Sequence, residues 1–139
     1  MTADHDAFGL IEQAAEAAGR AYAPYSNFHV GAAIVAADGS TYLGGNVENA
    51  AYGSAICAEG AAIAAAATAG VRKIDVVAIA CTETMECYPC GNCRQLMVEF
   101  GVDTVIVQEP DGSPRVHTLA ELLPHSFGPS SLGAASDST

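Results

Sequence analysis

Cys57-Ala58-Glu59-Gly60 opens an alanine run that continues to Ala69-Gly70. Ile74-Asp75-Val76-Val77-Ala78-Ile79-Ala80-Cys81 follows it, and Pro89-Cys90-Gly91-Asn92-Cys93 then opens a segment reaching Phe100-Gly101. The alanine run combines strong helix propensity with a small-residue surface, and Gly70 is its natural stop. Such a helix packs closely on a sheet or on another subunit. The mostly apolar stretch Ile74 to Cys81 reads as a buried central strand. Cys90 to Phe100 reads as a second helix, closed by Gly101. Both helices therefore begin at a cysteine.

Working outward, about Ala7 to Ala21 reads as an amphipathic helix, with Phe8, Ile11, Ala15, Ala18 and Tyr22 at helical spacing. Pro24 ends it, and Pro24-Tyr25-Ser26-Asn27 is a turn. Val30 to Ala37 and Thr41 to Gly44 read as two strands joined at Asp38-Gly39, a hairpin signal. Gly44 to Asn49 and Tyr52 to Ser54 read as loops. Thr104 to Gln108 is a further strand, Asp111-Gly112 a turn, and Leu119 to Leu123 a short helix before Pro124. Residues 1–128 form one expected domain, and the Ser, Gly and Ala tail 129–139 is expected to be disordered.

The chain has 139 residues and a net charge of −11, with only Arg20, Arg72, Lys73, Arg94 and Arg115 basic. Its length suits one domain with a sizeable core. Scattered cations cannot grip a phosphate backbone, so nucleic acid is not an expected partner. The apolar runs are too short to span a bilayer, and the acidic start lacks the basic region of a signal peptide. A cytoplasmic location is the expectation. Cys57, Cys81, Cys87, Cys90 and Cys93 make an odd number, for which metal binding is a better reading than a disulfide framework.

Cys57, Cys90 and Cys93 can supply three thiolates to one zinc ion and leave a fourth tetrahedral position open for water, as catalytic zinc sites do. Helix N-termini carry partial positive charge and free N–H groups, which favour thiolate. Glu59 is a carboxylate beside the ligands, suited to moving protons. Cys-x-Glu followed by Pro-Cys-x-x-Cys is the signature of zinc-dependent nucleobase deaminases. A competing reading uses Cys57, Cys87, Cys90 and Cys93 as a closed four-cysteine structural site, with Glu59 an ordinary first-turn carboxylate. In the first reading Cys87 is a loop bystander, and Cys81 is a plain core residue.

The chain resembles the small, homotetrameric cytidine deaminases from about Ala21 to Phe127. The resemblance rests on Tyr22-Ala23-Pro24-Tyr25-Ser26-Asn27-Phe28, Val30-Gly31-Ala32-Ala33, Asn46-Val47-Glu48-Asn49-Ala50-Ala51-Tyr52-Gly53, Cys57-Ala58-Glu59, Pro89-Cys90-Gly91-Asn92-Cys93-Arg94-Gln95 and Leu122-Leu123-Pro124-x-x-Phe127. It implies a three-layer α/β/α domain around a central mixed five-stranded sheet. It also implies hydrolysis of cytidine and 2′-deoxycytidine to uridine and 2′-deoxyuridine with release of ammonia, in pyrimidine salvage. Residue by residue, it implies Cys57, Cys90 and Cys93 as Zn²⁺ ligands and Glu59 as proton shuttle. It implies that Phe28 packs on the pyrimidine, that Asn46 and Glu48 bind the ribose 3′-hydroxyl, and that the Ala58 backbone N–H contacts the base. It also implies that Tyr52 and Phe127 reach the active sites of neighbouring subunits in a homotetramer. The residues alone also admit plainer roles: Phe28 as core, Asn46 as a turn residue, Glu48 as a solvated charge, and Phe127 as an anchor for the C-terminal segment. Tyr22 and Tyr25 are read as structural.

The chain departs from the pattern at Gly60, where close relatives commonly carry Arg. Three thiolates on one Zn²⁺ leave a net charge of −1, which weakens the metal as a Lewis acid. The helix N-termini and Arg94 are the candidates to offset it. On that hypothesis, Gly60→Arg moves the acidic limb of the kcat–pH profile to lower pH, and an unchanged profile contradicts it. Blasticidin S deaminases also lack that Arg, so blasticidin S or an N4-modified cytidine is the alternative substrate. They lack the pattern Asn46-x-Glu48-Asn49-Ala50-x-Tyr52-Gly53, which favours cytidine.

Overall fold

The computed structural model describes residues 6–83 and 86–133. Five strands form one sheet: β1 (Val30–Ala36), β2 (Thr41–Gly45), β3 (Ile74–Cys81), β4 (Thr104–Gln108) and β5 (Pro114–Thr118). Their order is β2-β1-β3-β4-β5. The β3–β4 pair is parallel and the other three are antiparallel, so the sheet is mixed. The β1–β2 hairpin turns at Asp38-Gly39 as the sequence predicts. Gly39 takes a φ of 91°, a conformation glycine adopts at no steric cost.

Alternation along the strands divides the core in two. Ala33 and Val35 of β1 face one side with Val76, Ala78 and Ala80 of β3, against α1 (Ala7–Ala18). Ala32, Ile34 and Ala36 face the other with Val77 and Ile79. There they meet α2 (Ala58–Thr68) and α3 (Gly91–Glu99). The short α4 (Leu119–Leu122) starts in a capping box, with Thr118 accepting from the Glu121 backbone and Glu121 accepting from the Thr118 backbone. This is the expected three-layer α/β/α architecture.

The helix α1 departs from its expected face and length. Its buried stripe is Leu10, Ile11, Ala14, Ala17 and Ala18, while Phe8, Ala15 and Tyr22 lie at the surface. It stops at Ala18, well before Pro24. Close approach to the sheet sets the buried face. A Cβ on Gly31 would overlap the Ala14 carbonyl oxygen and the Ala18 nitrogen, so alanines, not aromatics, form the contact.

Two further segments differ from the sequence reading. Strand β5 has no predicted counterpart; it is an edge strand with only His117 buried, too weak a pattern for period-two reading. Pro129–Leu132 form a 3-10 helix that ends at Gly133, with a φ of 74°. The remaining tail, residues 134–139, lies outside the described residues.

Candidate active site

Cys57 is the N-cap of α2 and Cys90 the N-cap of α3. Both have extended backbone, and their carbonyls accept the first helical bonds, from Ala61 N and Arg94 N, each at 3.0 Å. Cys93 follows in the first turn of α3 and is buried; Cys57 and Cys90 are exposed. The three sulfurs lie within 4.8 Å of one another, with Cys57 Sγ and Cys90 Sγ at 3.9 Å. Glu59 sits in the first turn of α2 with 4% exposure.

Cys57, Cys90 and Glu59 line one cavity of about 390 Å³, with Cys93 buried behind it. Its walls include Phe28, Val30, Asn46, Cys57, Ala58, Glu59, Cys90 and Tyr88. The Asn46 side chain is fixed on the strand entry, accepting from Val30 N at 2.8 Å and donating to Phe28 O at 3.0 Å. Glu48 borders a neighbouring cavity of about 290 Å³ with Tyr25, Ser26 and Tyr52. Its carboxylate accepts from the backbone N–H groups of Tyr25 and Ser26 at 2.9 and 3.2 Å and from the Ser26 hydroxyl. Those bonds, the Ser26 hydroxyl foremost, hold its pKa below the usual carboxylate value. Tyr52 and Phe127 are 85% and 60% exposed, and neither borders the thiol-lined cavity. Arg94 donates to the carbonyls of Pro89 at 3.0 Å and Leu122 at 2.7 Å, bracing the segment before Cys90.

Residues 5–109 match the family model described as the "Cytidine and deoxycytidylate deaminase zinc-binding region". The chain belongs to the cytidine and deoxycytidylate deaminase family. A cytidine deaminase of Halalkalibacterium halodurans is 42% identical over 120 residues, covering 85% of this chain and 91% of that one. One from Sporosarcina psychrophila is 39% identical over 130 residues, covering 92% and 96%. The crystal structure of cytidine deaminase from Burkholderia pseudomallei superposes with a TM-score of 0.82 at 42% identity, over 88% of this chain and 100% of that one.

The donor set of this deaminase chain fits the zinc of its family. Zinc–thiolate bonds of about 2.3 Å in a tetrahedron put sulfurs about 3.8 Å apart, close to the Cys57–Cys90 separation. Burial pushes the Cys57 and Cys93 thiols up, and the charge of Glu59 adds to both. Burial also opposes ionisation of Cys90, but hydrogen bonds from the Cys93 and Asn92 backbone and from the other two thiols bring it below its usual value. Three thiolates this close repel one another until a cation joins them. Burial likewise raises the Glu59 carboxyl, against hydrogen bonds from its own backbone and from Cys93.

The sequence reading of Cys81 and Cys87 is corrected. They form a disulfide, with Cα atoms 6.4 Å apart. Both residues lie in the core, within bridging distance. Spacing alone could not show this proximity. Cys87 is therefore neither a bystander nor a fourth thiolate, and the closed four-cysteine reading fails. Tyr88, Val30 and Ile79 also border the cavity without having been picked out in the sequence. A single aromatic in an aperiodic loop carries no spacing signal.

Proposed function

We propose that this deaminase hydrolyses cytidine and 2′-deoxycytidine to uridine and 2′-deoxyuridine, releasing ammonia. The observation that carries the reading is a buried carboxylate, Glu59, in a cavity shared with Phe28, Asn46 and two thiols, Cys57 and Cys90, of a three-thiol metal group. Cys57, Cys90 and Cys93 would hold the zinc, which when bound supplies Lewis acidity at neutral pH. Phe28 offers an aromatic face to the pyrimidine. The Ala58 N–H, at the start of α2, suits an acceptor on the base. Glu59 takes one proton from the attacking water and delivers it to N3; it then takes the second proton, from the hydroxyl now on C4, and passes it to the amine, which leaves as ammonia while C4 becomes the carbonyl. Burial of Glu59 raises the pKa of the carboxyl, which makes the carboxylate a better acceptor for that first proton.

The sugar side follows from Asn46 and Glu48. The Asn46 amide keeps one N–H and one lone pair free after its two backbone bonds. Glu48 is a carboxylate held in place by the Tyr25-Ser26 turn. Each suits a sugar hydroxyl, Asn46 from the thiol-lined cavity and Glu48 from the cavity beside it. No charged phosphate clamp adjoins them, and all five basic residues are engaged within the molecule: Arg20 with Glu16, Lys73 with Asp75 and Asp103, Arg115 with Glu109, and Arg72 and Arg94 with carbonyls. A free nucleoside, not a nucleotide or a polynucleotide, is the matching substrate.

The working form is a homotetramer with shared active sites. Tyr52, Ile56, Phe127 and Leu132 are large apolar residues left exposed by the single chain, and the outward face of α2 is alanine. Among the described residues no helix is long and apolar enough to cross a membrane. A cytoplasmic enzyme of pyrimidine salvage is the setting that agrees with this. Turnover of cytidine beside cytosine and blasticidin S by zinc-replete protein tests the substrate. Cytidine is expected to be the preferred substrate, and preference for blasticidin S would replace it.

A further inference from the structure

Tyr88 stands two residues before Cys90 and borders the cavity that holds Glu59, Phe28, Cys57 and Cys90. Its hydroxyl is committed elsewhere. It hydrogen-bonds His117 Nε2 at 2.9 Å, and the two rings lie 5.4 Å apart at a tilt of 54°. His117 is the one buried side chain of β5, and its Nδ1 lies 3.5 Å from Glu121 Oε1. Glu121 is itself held by the capping box, accepting from Thr118 N at 3.1 Å. The backbone on either side of Tyr88 is also pinned. Cys87 is bridged to Cys81 on β3, and the Pro89 carbonyl accepts from Arg94. With its polar end satisfied outside the cavity, Tyr88 offers the cavity only its ring.

We propose that Tyr88 is a specificity residue of the base pocket, and that His117, backed by Glu121, is the residue that positions it. This rests on the cytidine deaminase reading above. The base must bring C4 to the thiol group, so a rigid ring next to Cys90 borders the atoms that flank C4. The Tyr88 ring therefore favours cytosine itself over cytosine nucleosides enlarged beside C4, at C5 or on the exocyclic nitrogen. A wall of this kind acts on binding more than on the chemical step, so its loss falls mainly on KM.

The test compares kinetics on cytidine, 5-methylcytidine and N4-methylcytidine for zinc-loaded wild type, Tyr88→Ala, Tyr88→Phe, His117→Ala, His117→Gln and the Tyr88→Phe/His117→Ala double variant. Zinc content and thermal unfolding are measured for each. Tyr88→Ala is expected to raise KM for cytidine roughly 5- to 30-fold, with a smaller change in kcat. It is also expected to raise the relative kcat/KM for at least one of the enlarged substrates by about 10-fold. His117→Ala shifts both quantities in the same direction by less. His117→Gln, which keeps a partner for the phenol, restores much of the loss. In the Tyr88→Phe background, His117→Ala adds little, because the bond it removes is already gone. Wild-type turnover of cytidine with an unchanged KM and substrate profile in Tyr88→Ala overturns the inference and leaves the cytidine reading intact. Equal effects of His117→Ala with and without the Tyr88 hydroxyl overturn the positioning role. No turnover of cytidine by wild type overturns the parent reading and this inference with it.

Discussion

The two helices α1 and α2 are built alike and used differently. Each presents small residues to one face of the sheet, and each sits over a glycine that leaves room for its backbone. The pair is Ala14 and Ala18 over Gly31 on one face, and Ala58 and Ala62 over Gly44 on the other. A Cβ at Gly44 would fall 2.5 Å from both the Ala58 carbonyl oxygen and the Ala62 nitrogen. Their ends and outer faces differ. The N-terminus of α1 carries no acidic residue in its first turn, and its outer face has Glu12, Gln13 and Glu16. The N-terminus of α2 carries Cys57 and Glu59, and its outer face has Ala64 and Ala65. Small residues therefore set how close a helix sits. What the helix does is set by its first turn and by what lies on its far side.

The largest effect that would sharpen this contrast is catalytic. Glu59→Gln in α2 is expected to lower kcat on cytidine by about 10²- to 10⁴-fold, the usual worth of a positioned proton-transfer group. Glu12→Gln in α1 is expected to leave it unchanged. Steady-state kinetics on zinc-replete protein measure both, and equal losses would break the distinction.

Packing supplies the next effect. Gly31→Val and Gly44→Val each force side-chain atoms into helix backbone and are expected to cost about 3 kcal/mol or more in chemical denaturation. Only Gly44→Val displaces the helix carrying Cys57 and Glu59. Folded Gly44→Val protein is therefore expected to bind zinc more weakly, while folded Gly31→Val protein keeps its affinity. Matching zinc affinities would show that the site does not depend on the seat of α2.

The outer faces give a third comparison. Ala65→Glu is expected to shift the proposed tetramer toward smaller species in sedimentation velocity. Glu16→Ala, which removes an exposed i,i+4 pair with Arg20, is expected to leave assembly intact and stability within about 0.5 kcal/mol. Dissociation by the Glu16 change, with none by the Ala65 change, would place the interface on the wrong helix.

The elements that sequence reading located are those with local causes. Asp38-Gly39 turns the hairpin because glycine takes the positive φ there. Both cysteine-led helices begin where read, since an N-cap is a property of a few adjacent residues. The three thiols come together because two such caps converge on one end of the sheet. Features set by distant partners were not legible. The inner face of α1 depends on Gly31, and the largest apolar residues of that segment, Phe8 and Tyr22, proved to be on the surface. The Cys81–Cys87 bridge depends on the two residues meeting in the core, which their spacing does not show. The Tyr88–His117 bond joins residues 29 positions apart, one of them on an edge strand without clear alternation. Gly60 lies one residue beyond Glu59 on α2. A Cβ there would meet Leu96 and Ile56 at 3.5 and 3.8 Å, ordinary contact distances. Packing thus admits a side chain at that position, and Arg94, the candidate to offset the thiolate charge, has its guanidinium on the Pro89 and Leu122 carbonyls.

The most direct test of the central claim is ammonia and uridine formation from cytidine by zinc-replete wild-type protein, run in parallel with Glu59→Gln carrying the same zinc content. The expected result is stoichiometric uridine and ammonia from wild type and a rate lower by at least about 10²-fold in the variant. No uridine from the metal-replete wild type, or equal rates from the two proteins, would contradict it.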